Sequence, residues 1–311
     1  MKILGISCGT KNGNNDAMCR EALMGAKEKG AEIDFINLFD LDLKPCTGCI
    51  ACVGNLMQGK DGGCVIRDDY YWLRDRLLDA DGIVFAIPIF EKGVPAIFKI
   101  LQDRFAGPSQ DRGMVRISKM ISGKTGNAGP DPRIDRDKFV SFISIGGSDW
   151  TTRISSDVKT FCMSPMWTII DEHAFQWSKS IAVDDEKVDT CHNVGVNLVN
   201  AVNNPEEAKY LGDKGVCSHC HSRNFYIDKD QKAICTVCGI IGDLKVTDDK
   251  YSFDFPEEQL EHAHDTISGK MIHANDIKEN EGKLREDKQT DKYKERMAKY
   301  KEFIQGSKPS K

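Results

Sequence analysis

Residues 1–29, MKILGISCGTKNGNNDAMCREALMGAKEK, change texture twice. Residues 2–7 form a compact apolar run, the pattern of a strand covered on both faces. Residues 8–15 are a turn rich in Gly and Asn. Residues 16–29 read as a helix with Ala17, Leu23 and Ala26 on one face. The same alternation continues downstream. Strands are expected at 32–38, 81–87, 139–145 and 167–175, and helices at 69–78, 94–105, 152–162 and 188–202, with Pro95 tolerated in the first turn of its helix. The runs IVFAI (83–87) and SFISI (141–145) are continuously apolar, as parallel strands between two helix layers are. The expected fold class is therefore α/β: a three-layer, doubly wound, parallel five-stranded sheet over residues 1–205.

Two stretches interrupt the alternation. Residues 43–64 read as an irregular loop rich in Cys and Gly. Residues 107–138 are a Gly- and Pro-bearing insertion with one helix expected at 112–120, long enough for a substrate lid. Composition shifts near Asn203-Asn204-Pro205. A small second module is expected over 206–250 and a charged tail over 251–311, read from Ile277 onward as a solvated helix or disorder, with a docking arm as the alternative.

The 311 residues are 40% hydrophobic and 29% charged, enough for one sizeable core plus an appendage. A net charge of −5 argues against a general binder of nucleic acid or anionic membrane. The opening MKILGIS is too short for a signal-peptide core, so a cytoplasmic protein is expected. No Ser-His-Asp set, HExxH or P-loop lysine is present. The catalytic side chain, if there is one, is left unassigned.

The 12 cysteines point to metal or redox chemistry. Cys46, Cys49, Cys52 and Cys64 form C-x2-C-x2-C-x11-C. Thiolates at this spacing can turn toward one [4Fe–4S] cluster, with Cys64 as the distant ligand. The alternative is a cysteine-lined wall, or plain packing. Cys217, Cys220, Cys235 and Cys238 form C-x2-C-x14-C-x2-C, two knuckles suited to tetrahedral zinc in a zinc-ribbon module. An Fe(Cys)4 site is the alternative, and His219 and His221 are alternative ligands. Cys8, Cys19, Cys162 and Cys191 read as buried small hydrophobes. Trp150, Trp167, Trp177 and His173 read as core or dimer contacts, and Arg104 and Arg112 as surface residues with a nicotinamide phosphate as the other option.

The turn Ser7-Cys8-Gly9-Thr10-Lys11-Asn12-Gly13-Asn14-Asn15 leads into a helix N-terminus and can cradle a phosphate. It resembles the G-S-P-R-x-x-G-N-T loop of the flavodoxin-like NADPH-dependent FMN reductases and iron–sulfur flavoproteins. Cys8 and Thr10 stand where that family usually has Ser and Arg, a change a backbone cradle tolerates at some cost in affinity. Residues 80–94, ADGIVFAIPIFEKGV, resemble the family loop that packs on the isoalloxazine ring, and Ser144-Ile145-Gly146-Gly147-Ser148 resembles its loop after strand four. The three pieces follow strands one, three and four, where open α/β sheets bind ligands. The resemblance implies FMN held by Ser7, Thr10, Gly13, Asn14, Asn15, Pro88, Ile89, Phe90, Glu91, Lys92, Gly93, Gly146, Gly147 and Ser148. It implies an FMN-dependent NAD(P)H oxidoreductase that passes electrons to a quinone-like, unsaturated or other small organic acceptor. Its partners would be a small molecule or a redox protein, with no nucleic acid and no membrane, and it would form a homodimer or homotetramer. Two other readings stand beside it: an iron–sulfur flavoprotein that transfers electrons between redox proteins, and a redox-sensing binding module.

Overall fold

Five parallel strands run in the order β2-β1-β3-β4-β5 in the computed structural model, which describes residues 1–303. They are β1 (Lys2–Ser7), β2 (Glu32–Asn37), β3 (Gly82–Pro88), β4 (Phe139–Ile145) and β5 (Thr168–Phe175). The helices are α1 (Asn14–Glu28), α2 (Ala51–Leu56), α3 (Tyr70–Asp79), α4 (Ala96–Phe105), α5 (Arg112–Thr125), α6 (Ile154–Met163) and α7 (Asp185–Asn203). The order reverses between β1 and β3, the switch point of the flavodoxin-like topology.

Alternate residues of each apolar strand feed two cores. Leu4, Ile6, Phe85 and Phe142 pack with Leu73 of α3, Phe98 of α4 and Phe161 of α6. The Phe85 ring meets those of Phe98, Phe142 and Phe161 at 5.6, 5.5 and 5.2 Å. Burying one such side chain is worth on the order of 2–3 kcal/mol. Ile3, Val84 and Ile143 face the other way onto Met18 and Ala22 of α1 and Val194 and Leu198 of α7. There the two helices touch backbone to backbone. A Cβ on Gly195 would fall 1.7 Å from the Ala22 carbonyl oxygen, and one on Gly25 would fall 2.2 Å from that of His192. Cys8, Cys19, Cys162 and Cys191 are all buried, and burial pushes their thiols up.

Several expectations need correction. Residues 43–64 are not wholly irregular, because α2 lies within them, with Val53 and Leu56 buried. The helix expected at 112–120 runs on to Thr125 and ends at Gly126 in the left-handed region. The helix after Pro95 begins at Ala96, leaving the proline just outside. Arg104 is not a surface residue. It is 5% exposed and paired with Asp68, because α4 packs it against the loop that carries Asp68. The insertion is a packed layer. Gly113, Met114 and Val115 of α5 are buried, and Asp111 caps the helix through the N–H groups of Gly113 and Met114 at 3.0 Å.

A four-stranded antiparallel sheet of β6 (Phe225–Ile227), β7 (Ala233–Cys235), β8 (Ile241–Thr247) and β9 (Lys250–Asp254) forms the second module. It is followed by α8 (Ile267–Asp287) and α9 (Asp291–Phe303). The start of α8 is anchored to the insertion: Lys270 Nζ lies 2.7 Å from Asp111 Oδ2, both side chains 4% exposed. From Lys278 onward α8 is mostly exposed. No helix of the described residues is long and apolar enough to cross a membrane.

Candidate functional site

The first turn is pinned from three directions. Cys8 N–H donates to Ala86 O at 2.9 Å, tying it to β3, and Gly13 N–H donates to Thr10 O at 2.9 Å, closing the turn. Beneath it Asp16 accepts from Asn12 N–H and from Asn37 Nδ2, both at 2.7 Å, and Asn37 Nδ2 also donates to Gly9 O at 3.0 Å. Asp16 and Asn37 were not singled out from the sequence. The available cue was polar residues placed where the first turn of α1 and the end of β2 become buried. Gly13 caps α1 with no side-chain bond, so the first-turn N–H groups of α1 face the loop without a side-chain acceptor. Ser7 Oγ and Asn15 Oδ1 are buried without a partner in the protein. Ser7 Oγ–H and the open helix N-terminus suit a phosphate. The Asn14 side chain is turned aside, its Nδ2 donating to Lys179 O. Lys11 pairs with Asp40.

Pro88 to Gly93 close a two-residue hairpin. Phe90 and Gly93 exchange both backbone hydrogen bonds at 3.0 Å around Glu91 (φ 49°) and Lys92 (φ 70°). Two non-glycine residues in the left-handed region mark strain of the kind found at ligand sites. Ile89 N–H donates to Ile145 O at 2.9 Å, which stitches this loop to β4. Beyond β4, Gly146 N–H donates to Phe175 O at 2.9 Å, and Ser178 N–H donates back to Gly146 O at 3.0 Å. Lys92 Nζ lies 5.2 Å from the centre of the Trp150 ring, joining the hairpin to the loop after β4. The three sequence pieces therefore form one rim over the ends of the adjacent strands β1, β3 and β4. Of the tryptophans, Trp167 lies in the core beside Phe105 and Phe161, whereas Trp150 and Trp177 are exposed. His173 Nε2 is 2.8 Å from Asp171, a bond that raises the pKa of the ring.

Cys46, Cys49, Cys52 and Cys64 line one cavity of about 160 Å³. Gly48 N–H donates to Cys46 Sγ at 3.4 Å, and Arg104 Nη2 donates to Cys64 Sγ at 3.4 Å. Each of these two sulfurs thus accepts one N–H donor. Thiols gathered round a small, largely apolar space suit a cluster as well as they suit a wall.

The second group converges fully. The sulfurs of Cys217, Cys220, Cys235 and Cys238 all lie within 4.8 Å of one another. Two similar knuckles produce this: His221 N–H donates to Cys217 O at 2.9 Å and Gly239 N–H to Cys235 O at 3.0 Å, with His221 and Gly239 both left-handed. Four thiols in so small a volume fit one tetrahedral metal ion, zinc or iron. The histidines are otherwise engaged: His219 Nε2 bonds Asp265 at 2.6 Å, and the His221 ring stacks on Tyr210 at 4.5 Å. The module is fastened to the main sheet. Buried Lys159 lies 3.0 Å from Glu172 and donates to His221 O at 3.2 Å, and Asn224 Nδ2 donates to Thr152 O at 3.1 Å.

Comparison with known proteins agrees with this geometry. The model of the NADPH-dependent FMN reductase family matches residues 1–180. A solved flavone reductase is 51% identical and superposes with a TM-score of 0.89, covering 100% of both chains. An iron–sulfur flavoprotein of Methanocaldococcus jannaschii is 39% identical over 129 residues, which are 41% of this chain and 60% of that one. The flavone synthase cfoJ of Aspergillus candidus is 26% identical over 265 residues, 80% of each chain.

Proposed function

The chain belongs to the NADPH-dependent FMN reductase family of flavin oxidoreductases, and from that premise we propose that it passes electrons from NAD(P)H through FMN to a planar unsaturated ketone of the flavone type. The observation that carries the acceptor is the likeness, at 51% identity over the full length of both chains, to a flavone reductase. When bound, FMN would supply two-electron chemistry between the nicotinamide and the conjugated C=C bond, whose reduction takes one hydride equivalent and one solvent proton. The chain's own part is binding and placement. The turn from Ser7 to Asn15 would hold the phosphate with backbone N–H groups and Ser7 Oγ. The strained Phe90–Gly93 hairpin would lie along the ring, and Gly146, Gly147 and Ser148 would border it on the β4 side.

The test is anaerobic. The FMN-loaded protein is mixed with NADH or NADPH and flavone, and the product is weighed by mass spectrometry. Nicotinamide oxidation matched by a product two hydrogens heavier supports the reading, and the faster nicotinamide names the donor. Oxidation with no change in flavone removes flavone as the acceptor.

One observation favours a second reading. The cavity lined by Cys46, Cys49, Cys52 and Cys64 has the thiol content of a cluster site, and the chain is similar to an iron–sulfur flavoprotein. About four irons and matching sulfide per chain would make it an electron-transfer flavoprotein. The absence of sulfide would leave a cysteine-lined wall. We further propose zinc at the four-cysteine site and a homodimer or homotetramer, read out by metal analysis and light scattering.

A further inference from the structure

We infer that Trp150 and Trp177 are the specificity-determining residues of the acceptor site, two aromatic walls that select a flat polycyclic substrate. The inference rests on the acceptor class proposed above. Both rings are far more exposed than side chains of their size usually are, Trp150 at 52% and Trp177 at 72%. The third tryptophan of the same β4–α6–β5 unit, Trp167, is 5% exposed, so the core takes up one ring and leaves two outside. The backbone that carries each ring is fixed. Both hang from Ser148: Trp150 N–H donates to Ser148 Oγ at 3.2 Å, and Trp177 N–H donates to Ser148 O at 3.4 Å. The bonds of Gly146 to Phe175 and of Ser178 to Gly146, at 2.9 and 3.0 Å, clamp the backbone on both sides of Trp177.

Trp177 also holds φ at 50°, a left-handed conformation unusual for a bulky aromatic residue. Such strain persists where the surrounding bonds over-determine it, and it clusters at ligand sites. Phe90, 59% exposed on the hairpin after β3, completes a rim with one exposed ring on each of the loops after β3, β4 and β5. Aromatic faces held this way favour a planar π-system by offset stacking and give little to a small or branched acceptor. Lys92 at the Trp150 ring, and Lys179, whose stem runs past Gly147, add positive charge to the same rim, which would favour a ligand carrying a ketone or phenolate oxygen.

The experiment uses the FMN-loaded full chain with flavone as the probe. Binding is measured by equilibrium dialysis without nicotinamide, and turnover is measured with flavone and with ferricyanide, which has no ring to stack. Trp150→Ala and Trp177→Ala should each weaken flavone binding about tenfold or more, and Trp→Phe at either position should restore it to within about threefold. The ratio of flavone to ferricyanide turnover should fall about tenfold in the alanine variants. Alanine variants that keep FMN and bind flavone within about twofold of the parent would overturn the inference, as would a parent that binds no flavone or a turnover ratio that does not move. If an alanine variant sheds FMN, Trp→Leu, which keeps apolar bulk without a ring, is read by the same two measurements. A parent that binds flavone but does not reduce it rejects the proposed acceptor and makes the turnover ratio uninformative; the dialysis result alone then decides whether these rings select a flat polycyclic ligand. Equal reduction with and without the rings supports the acceptor and overturns this inference.

Discussion

The Arg104 guanidinium lies 3.4 Å from Cys64 Sγ through Nη2, while its Nη1 is paired with Asp68. The side chains of Arg104 and Asp68 are 1% and 0% exposed. Asp68 also accepts from the N–H groups of Lys44 at 2.8 Å and Tyr70 at 3.1 Å. Burial pushes the Asp68 carboxyl up, and the Arg104 and backbone bonds together bring it below its ordinary range. One residue of α4 thus anchors both ends of the cysteine loop, through Lys44 O on one side and Cys64 on the other.

Removing that anchor should be costly. Arg104→Met leaves a buried carboxylate unpaired, and a loss of about 3–5 kcal/mol in urea unfolding is expected. Adding Asp68→Asn should recover part of it: the charge goes, but Lys44 N–H and Tyr70 N–H bond different carboxylate oxygens, so only one of the two keeps an acceptor. A single-variant loss below about 1 kcal/mol would mean that Asp68 finds water instead.

The phosphate turn can be tested at Gly9. A Cβ there would fall 2.3 Å from Asn15 Nδ2 and 2.7 Å from Asn15 Cβ, forcing Asn15 and the start of α1 to shift. Gly9→Ala should weaken FMN binding by about tenfold or more in a flavin-fluorescence titration, since displaced N–H groups lose the phosphate first. An unchanged affinity would place the phosphate elsewhere.

Metal removal should separate the two modules. Cys235→Ser breaks a four-thiol set whose sulfurs lie within 4.8 Å of one another. Bound metal should fall from about one per chain to nearly none, and the thermal midpoint should drop. FMN affinity should fall less, because among the described residues a single hydrogen bond, from Asn224 Nδ2 to Thr152 O, links the ribbon to the loop after β4. Retained metal in the variant would count against the site.

A pH series should reveal His173 and Asp171, 2.8 Å apart. The bond to Asp171 raises His173 above its ordinary 6.5. For Asp171, burial acts upward, but bonds from His173 and Asn197 leave its carboxyl below the ordinary 3.8. A raised histidine stabilises the fold fully below its unfolded pKa and loses that contribution as pH climbs through the folded one; a depressed aspartate loses its share as pH falls through its own folded value. The stability gap between the parent and His173→Asn should therefore be widest between the two ranges and shrink as pH rises above 6.5. It should stay under about 1 kcal/mol because His173 is partly exposed. A gap that grows above neutrality would contradict this assignment.

What could be read along the chain were features that neighbours in sequence create. Apolar runs such as IVFAI carry in themselves the pattern of a strand that will be covered on both faces. A Gly- and Asn-rich turn between strand and helix is a local event, and each Cys-x2-Cys knuckle bends on itself, so the second metal set was legible before any fold was known. Hence the parallel sheet, the Gly- and Asn-rich turn after its first strand and the four-cysteine set were determined by the sequence alone. What supports and finishes the site was settled only by tertiary contact. Asp16 and Asn37 beneath the turn lie 21 residues apart, Arg104 and Asp68 lie 36 apart, and Lys270 reaches Asp111 across 159. A charged or aromatic side chain carries no mark of whether a distant segment will bury it: Arg104 was enclosed by the cysteine loop, Trp167 by the core, and Trp150 and Trp177 by nothing in the described residues. Burial and pairing depend on which surfaces meet after the chain has folded, and that information lies in the packing.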